Sequence, residues 1–88
     1  ARTHLRRAVQ RCPHSIENRL NLIEALISWS EETEAARQYE DTAALLPNAR
    51  TRFAGDEWAA SWADWDRRWL AISKKLEGRR SISRRPAQ

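Results

Sequence analysis

The sequence predicts an all-α protein, and three observations support that class. Only two Gly and three Pro interrupt 88 residues that are rich in Ala, Leu, Arg and Glu, all of which favour helices. Extended runs of Val, Ile and Thr are missing, so no sheet is expected. Apolar residues recur at helical spacing in several segments. We therefore expect one domain over residues 1–77, with helices at about 1–12, 15–29, 32–46 and 56–77.

The first two helices are separated by a proline. Leu5, Ala8 and Val9 share one face of the first helix. Pro13 ends it, because the residue before a proline is driven out of the helical region. Ser15 is a suitable N-cap for the second helix. The apolar positions of that helix form a stripe wide enough to contact helices on two sides, namely Ile16, Leu20, Leu22, Ile23, Leu26, Ile27 and Trp29.

The third helix is predicted to begin at residue 32. The polar segment 30–33 supplies its N-cap, its Ala-rich surface allows close packing, and Pro47 ends it. After Pro47 we expect a short turn or irregular helix as far as Gly55, where Asp56 caps a longer helix.

The fourth helix carries the clearest periodicity in the chain. Six large apolar residues, which we call the Trp stripe, follow at spacings of 4, 3, 4, 3 and 4 and therefore share one narrow face. They are Trp58, Trp62, Trp65, Trp69, Ile72 and Leu76. Asp64 is expected to pair with Arg67 and Arg68 on the outer face. Gly78 is the expected end of the helix, and a disordered basic tail is predicted over 78–88.

A similar pattern precedes each of the first two prolines, which stand 34 residues apart. The residues twelve, eight and five positions before Pro47 are Ala35, Tyr39 and Thr42. Those at the same offsets before Pro13 are Ala1, Leu5 and Ala8. A small, a large and a small residue before a proline predict a helix that packs closely on its neighbour, and the recurrence predicts a repeating unit.

This pattern resembles the second half of the signature of the tetratricopeptide repeat (TPR), a helix–turn–helix unit. In the first half, Leu22 fits the signature. Three positions depart from it, since the family's usual Trp, Gly and Tyr are replaced by Arg19, Ile23 and Leu26. The resemblance covers about residues 1–47. The segment from Ala1 to Pro13 also resembles the half-a-TPR variant found in scaffolds of RNA-processing complexes.

The resemblance implies an α-α superhelix of TPR-like hairpins, in which this chain is the C-terminal part of a longer protein. In TPR proteins the first helices of successive repeats line a concave groove that holds a peptide or partner helix. The residues at those places here are Glu17, Leu20, Glu24, Ile27 and Ser28. The two glutamates would favour basic partners, or they are simply solvated. The implied partner is another protein or peptide, or another part of the chain's own longer protein.

The Trp stripe has several interpretations. As a capping helix it covers the open apolar flank of the last repeat, because repeat arrays need an atypical terminal unit. A 4-3 spacing also predicts a coiled coil between two copies, although Trp suits irregular packing better than knobs and holes. Sugar stacking or a membrane interface would require exposed rings, and a membrane-surface helix would require a more basic polar face.

The net charge of +4 is concentrated at the two ends of the chain. Residues 14–46 carry seven acids against two Arg, whereas residues 1–12 and 78–88 each carry four Arg and no acid. Such arginines could neutralise the phosphates of a nucleic acid or another polyanion. They are Arg2, Arg6, Arg7, Arg11, Arg79, Arg80, Arg84 and Arg85. No aromatic residue is interleaved with them, so a solvated face and a solubilising tail are the simpler explanation.

No pattern of catalytic or cofactor-binding residues is visible. His4 and His14 lack metal-ligand spacing, and Gly-rich phosphate loops and nucleophile turns are absent. Cys12 has no second thiol with which to form a disulfide or metal site. No apolar run approaches the length of a membrane span. We therefore expect a protein-interaction module without catalysis, cofactor or metal. A polyanion adaptor and an oligomerisation module that uses the Trp stripe are the alternatives.

Overall fold

Four α-helices joined by short connections form the described part of the chain. The structure, a computed structural model, describes residues 2–84, with side chains for residues 3–78. The helices are α1 (Arg2–Arg11), α2 (Ile16–Ser28), α3 (Glu32–Arg52) and α4 (Ala59–Arg84), and a 3-10 turn at Asp56–Trp58 precedes α4. No strand occurs within residues 2–84. The predicted all-α class is confirmed.

The central element is α2, against which α1, α3 and α4 all pack. The predicted N-cap is present, since the backbone N–H of Asn18 donates to Ser15 Oγ at 3.2 Å. The wide apolar stripe explains how one helix contacts three others, because it is buried on more than one side. Its buried residues are Ile16, Leu20, Leu22, Ile23, Leu26 and Ile27.

The connection from α2 to α3 is a tight turn at Ser30, which adopts a left-handed conformation with φ 61°. The N–H of Ser30 donates to the Ile27 carbonyl (3.0 Å) and that of Glu31 to the Leu26 carbonyl (2.9 Å). The turn thereby satisfies two of the carbonyls in the last turn of α2. The predicted side-chain cap for α3 is wrong. Glu31 occupies the N-cap position without a capping hydrogen bond from its side chain to the first turn of α3, and Ser30 belongs to the turn that ends α2.

The prediction that the third helix ends at Pro47 is also wrong, because α3 continues to Arg52. Pro47 lacks the N–H that would bond to the Ala43 carbonyl, but both residues are exposed, so water can satisfy that carbonyl. Beyond the proline, Ala49 is buried and Phe53 packs against the core. Tertiary contacts therefore stabilise the last five residues of α3.

The fourth helix also runs further than predicted. Gly55, with φ 119°, supplies the left-handed backbone before the 3-10 turn, and no side chain caps that turn, so Asp56 is not the predicted cap. Gly78 is not in the left-handed conformation that ends helices, and α4 passes through it to Arg84. The predicted helix end at Gly78 is therefore wrong, and α4 includes residues 78–84 of the predicted tail. Residues 85–88 of the predicted tail lie outside the described residues.

The direction of α4 follows from its contacts with α2. Trp65 contacts Glu17, and Arg68, one turn further along α4, contacts Glu24 further along α2. Because these contacts advance together, the two helices are parallel.

The contacts between α4 and α3 run the opposite way. Arg50, near the end of α3, bonds to Asp66 in the first half of α4, whereas Tyr39, earlier in α3, bonds to Ser73 further along α4. The two helices are therefore antiparallel, and α4 packs on both members of the α2–α3 hairpin.

Candidate functional site

A polar network, which we call the Arg68 network, connects α2 to α4. Three polar residues of α2, spaced 4 and 3 apart, share the helix face that lies towards α4, namely Glu17, Asn21 and Glu24. The Arg68 guanidinium donates to Glu17 Oε2 at 2.9 Å, Asn21 Oδ1 at 2.7 Å, and Glu24 Oε1 and Oε2 at 2.8 and 2.9 Å. One side chain of α4 thereby bonds to three polar side chains on one face of α2.

The surroundings of Arg68 are partly buried. Only 17% of its side chain is exposed, whereas Glu17 and Glu24 retain access to solvent. Asp64 lies 3.6 Å from Arg68 and also contacts Arg67, so the predicted pairing of Asp64 with both arginines is confirmed. The predicted outer-face location is wrong for Arg68, because its side chain reaches across to α2.

The charges of the network are stabilised by its hydrogen bonds. The pKa of Glu17 is lowered, first by the N–H of Trp65, which donates to Glu17 Oε1 at 2.9 Å, and then by the bond from Arg68. The pKa of Arg68 is raised, chiefly by its hydrogen bonds to Glu24. Because these groups are held ionised and bonded to each other, the network stabilises the contact between α2 and α4 and is poorly suited to proton transfer.

The residues predicted to line a partner groove are mostly engaged within the chain. Leu20 and Ile27 are buried in the core, and Glu17 and Glu24 belong to the Arg68 network. Ser28 is exposed. The structure thus places the chain's own α4 on this face of α2, and the five residues form no open groove. The sequence gives a hint of this, since Arg68 directly precedes Trp69 of the Trp stripe.

The Trp stripe packs against the core of its own chain. Trp65 is 9% exposed, and Ile72 and Leu76 are buried. The other three indoles, those of Trp58, Trp62 and Trp69, are half-buried against the same core. Tyr39 stacks on Trp69 with ring centroids 4.2 Å apart, while its hydroxyl lies 2.6 Å from Ser73 Oγ. The stripe therefore presents no continuous row of exposed indoles to a sugar or a membrane.

The Trp62 ring is engaged both at its polar edge and at its face, at the junction of α3 and α4. The N–H of Trp62 donates to the Phe53 carbonyl at 3.0 Å. The Arg50 guanidinium lies 4.4 Å from the Trp62 ring centroid and also pairs with Asp66. These contacts connect the end of α3 to the beginning of α4.

The arginines predicted to contact a polyanion do not form one group among the described side chains. Arg6 bonds to Glu34 through Nε at 3.0 Å, and this bond raises the pKa of Arg6. Arg7 and Arg11 are exposed and make no ion pair with a described residue. They line an open groove, the α1 groove, with His4, Ala8, Cys12 and Asn18. The side chains of Arg2, Arg79, Arg80, Arg84 and Arg85 lie outside the described ones.

A second concavity, the turn pocket, lies where the α1–α2 connection meets the end of α3. It has a volume of about 160 Å³. Its lining residues are His14, Leu45, Asn48, Ala49, Arg52 and Phe53. Four of these six follow Pro47. Sequence reasoning missed the pocket because a helix that ends at Pro47 would not place these four residues around it. The only available signal was the helical spacing of Leu45, Ala49 and Arg52.

Within residues 3–78, no group of three or more His, Cys, Asp or Glu is arranged to hold a metal ion. No helix of the described chain is both long and apolar enough to cross a membrane. The fold and its polar network define a small all-α protein in which the last helix is bound to the central one. No family model, curated protein or solved structure matches the chain.

Proposed function

We propose that this chain is a protein-interaction module of a larger TPR-like scaffold, with no catalysis of its own. The observation that carries the proposal is the packing of α2, which contacts three helices, one of them a parallel neighbour two helices further along the chain. Parallel packing of alternate helices is what stacking of successive hairpins requires. A scaffold of this kind acts through the shape of a rigid surface.

The polar composition of the surface agrees with this proposal. Among the described large apolar side chains, only Leu70 is strongly exposed, at 56%. The stack thus buries its apolar residues within one chain and leaves polar surface for reversible contacts. Non-obligate interfaces have about the same apolar fraction as the rest of a protein surface.

The test compares the folded chain with an unfolded variant as bait in a cell extract. Leu20→Gln with Leu26→Gln places two amides in the core and preserves the net charge; circular dichroism verifies the loss of helix. A protein partner that recognises shape is retained by the folded chain, resists nuclease, and is lost from the variant. Binding that persists on the unfolded chain, or disappears with nuclease, contradicts the proposal.

A polyanion adaptor is the second candidate, and the α1 groove is the observation that favours it. Arg7 and Arg11 are one turn apart and carry charges that no described acid neutralises. If the groove binds phosphates, Arg7→Ala with Arg11→Ala lowers heparin affinity and flattens its salt dependence, by about one unit of log–log slope per lost contact. An unchanged slope excludes the groove as a polyanion site.

The third candidate, oligomerisation through the Trp stripe, has less support, because the stripe packs within its own chain. We expect a monomer in sedimentation equilibrium at high protein concentration. A dimer that dissociates in Trp62→Ala, while the variant stays folded, would restore this candidate.

A further inference from the structure

The α1–α2 connection is surrounded by cationic side chains that lack acidic partners. Arg19 donates from Nε to the Pro13 carbonyl at 2.6 Å, which places its guanidinium beside His14. Arg11 precedes Pro13 by two residues and lines the α1 groove. Arg52 comes from α3 and lines the turn pocket together with His14. None of these three arginines makes an ion pair with a described residue, so each is available to an external carboxylate.

The turn pocket itself has an apolar floor and a polar rim. Leu45, Ala49 and Phe53 are partly or fully buried, whereas His14 and Arg52 are exposed at the edge. A volume of about 160 Å³ is close to that of an engineered apolar cavity, about 150 Å³, that binds benzene. The pocket is therefore large enough for one aliphatic or aromatic side chain.

Resting on the proposed function, we propose that this surface binds an acidic segment of a partner protein, with one bulky apolar side chain in the turn pocket. Carboxylates on either side of that anchor pair with Arg11, Arg19 and Arg52. A single buried anchor surrounded by charged contacts is a common organisation for small interfaces.

The pocket favours a protein segment over a nucleic acid. Flat bases are usually held by exposed aromatic rings, and the indoles of this chain are packed against its own core. An apolar cavity for one side chain adds nothing to phosphate binding. The acid nearest along the same face of α3 is Asp41, one turn before Leu45, so the cationic character is local to the end of the helix.

The experiment pans a displayed library of random peptides on the intact chain and measures the affinity of the enriched peptides for three variants. Arg52→Glu reverses the charge at the rim, and Asn48→Trp obstructs the pocket from its exposed edge. Arg37→Glu is the matched control, because Arg37 is exposed on the same helix and does not line the pocket. Thermal unfolding verifies that each variant is folded.

We expect the enriched peptides to place Asp or Glu beside one Leu, Ile or Phe. Arg52→Glu and Asn48→Trp should each weaken binding by about tenfold or more, and Arg37→Glu by less than about twofold. If the enriched peptides lack acids, or if all three variants behave alike, this site is wrong while the interaction function stands. If no peptide is enriched and a single-stranded oligonucleotide binds instead, both proposals fail and the polyanion adaptor replaces them.

Discussion

Arg68 and Arg67 are adjacent in sequence but differ in what they contact. Arg68 bonds to three side chains of α2, whereas Arg67 contacts Asp64 on its own helix and is largely exposed. Arg68→Ala should therefore lower the free energy of unfolding by about 1–2 kcal/mol, a range that allows for the solvent access of its acidic partners. Arg67→Ala should cost less than about 0.5 kcal/mol. Urea denaturation of both variants measures the difference, and equal losses would contradict a stabilising network between α2 and α4.

Glu17 makes the stability of the fold depend on pH. Its pKa in the folded state is lowered from an ordinary value of about 4.5 by Trp65 and then by Arg68. The unfolded chain therefore takes up the proton first as pH falls. The stabilisation is complete above the ordinary carboxyl pKa and is lost as pH falls through the lowered one.

Glu17→Gln should flatten this part of the pH dependence, because the amide cannot take up the proton. Urea denaturation at a series of pH values from about 7 down to about 3 provides the measurement. Parallel curves for the wild type and Glu17→Gln would show that the Glu17 carboxylate is not bonded in the folded state.

At the scale of the helix, Pro47 offers a direct test of the length of α3. Pro47→Ala restores the N–H donor to the Ala43 carbonyl and removes a residue that costs about 3 kcal/mol within a helix. It also makes the unfolded chain more flexible, which offsets part of that gain. We therefore expect the free energy of unfolding to rise by about 1–3 kcal/mol. Pro13→Ala is the control, since Pro13 lies between helices and its replacement should give no such gain. A neutral or unfavourable effect of Pro47→Ala would place the end of the helix at the proline.

Local patterns were sufficient to predict much of the fold, because they depend on nearby residues. The Trp stripe and the N-cap at Ser15 are both readable from spacing and side-chain chemistry. The length of α3 was not, because it depends on the packing of Ala49 and Phe53 against residues distant in sequence. The same dependence on distant residues explains why a groove was predicted on a face of α2 that α4 covers. Spacing shows that Glu17 and Glu24 share a face, but only the folded chain shows that α4 covers it.

At the scale of the molecule, Trp65 links α4 to the rest of the core. Its N–H donates to Glu17 of α2 at 2.9 Å. Its ring centroid lies 5.0 Å from that of Trp62, which is on the same helix. Trp65→Ala should lower the free energy of unfolding by about 3–5 kcal/mol, in the range found for large-to-small changes in a core. Leu70→Ala, at an exposed position of the same helix, should change it by less than about 0.5 kcal/mol.

The unfolding curves of Trp65→Ala, followed by tryptophan fluorescence and by far-ultraviolet circular dichroism, should shift together. A coincident shift means that α4 unfolds with the other three helices. An early fluorescence transition with the helical signal retained would show that α4 detaches by itself.

The Arg68 network also has a consequence for how α4 is positioned along its own axis. A row of large rings can pack on an apolar helix at more than one position along the helix axis, with about 5.4 Å, one helical turn, between positions. Arg68 finds Glu17, Asn21 and Glu24 together at only one of them, and a slide of one turn would leave a partly buried guanidinium short of carboxylates. We therefore expect the apolar residues to supply most of the free energy of packing between α2 and α4. Arg68 alone is expected to fix the position of α4 along the axis of α2.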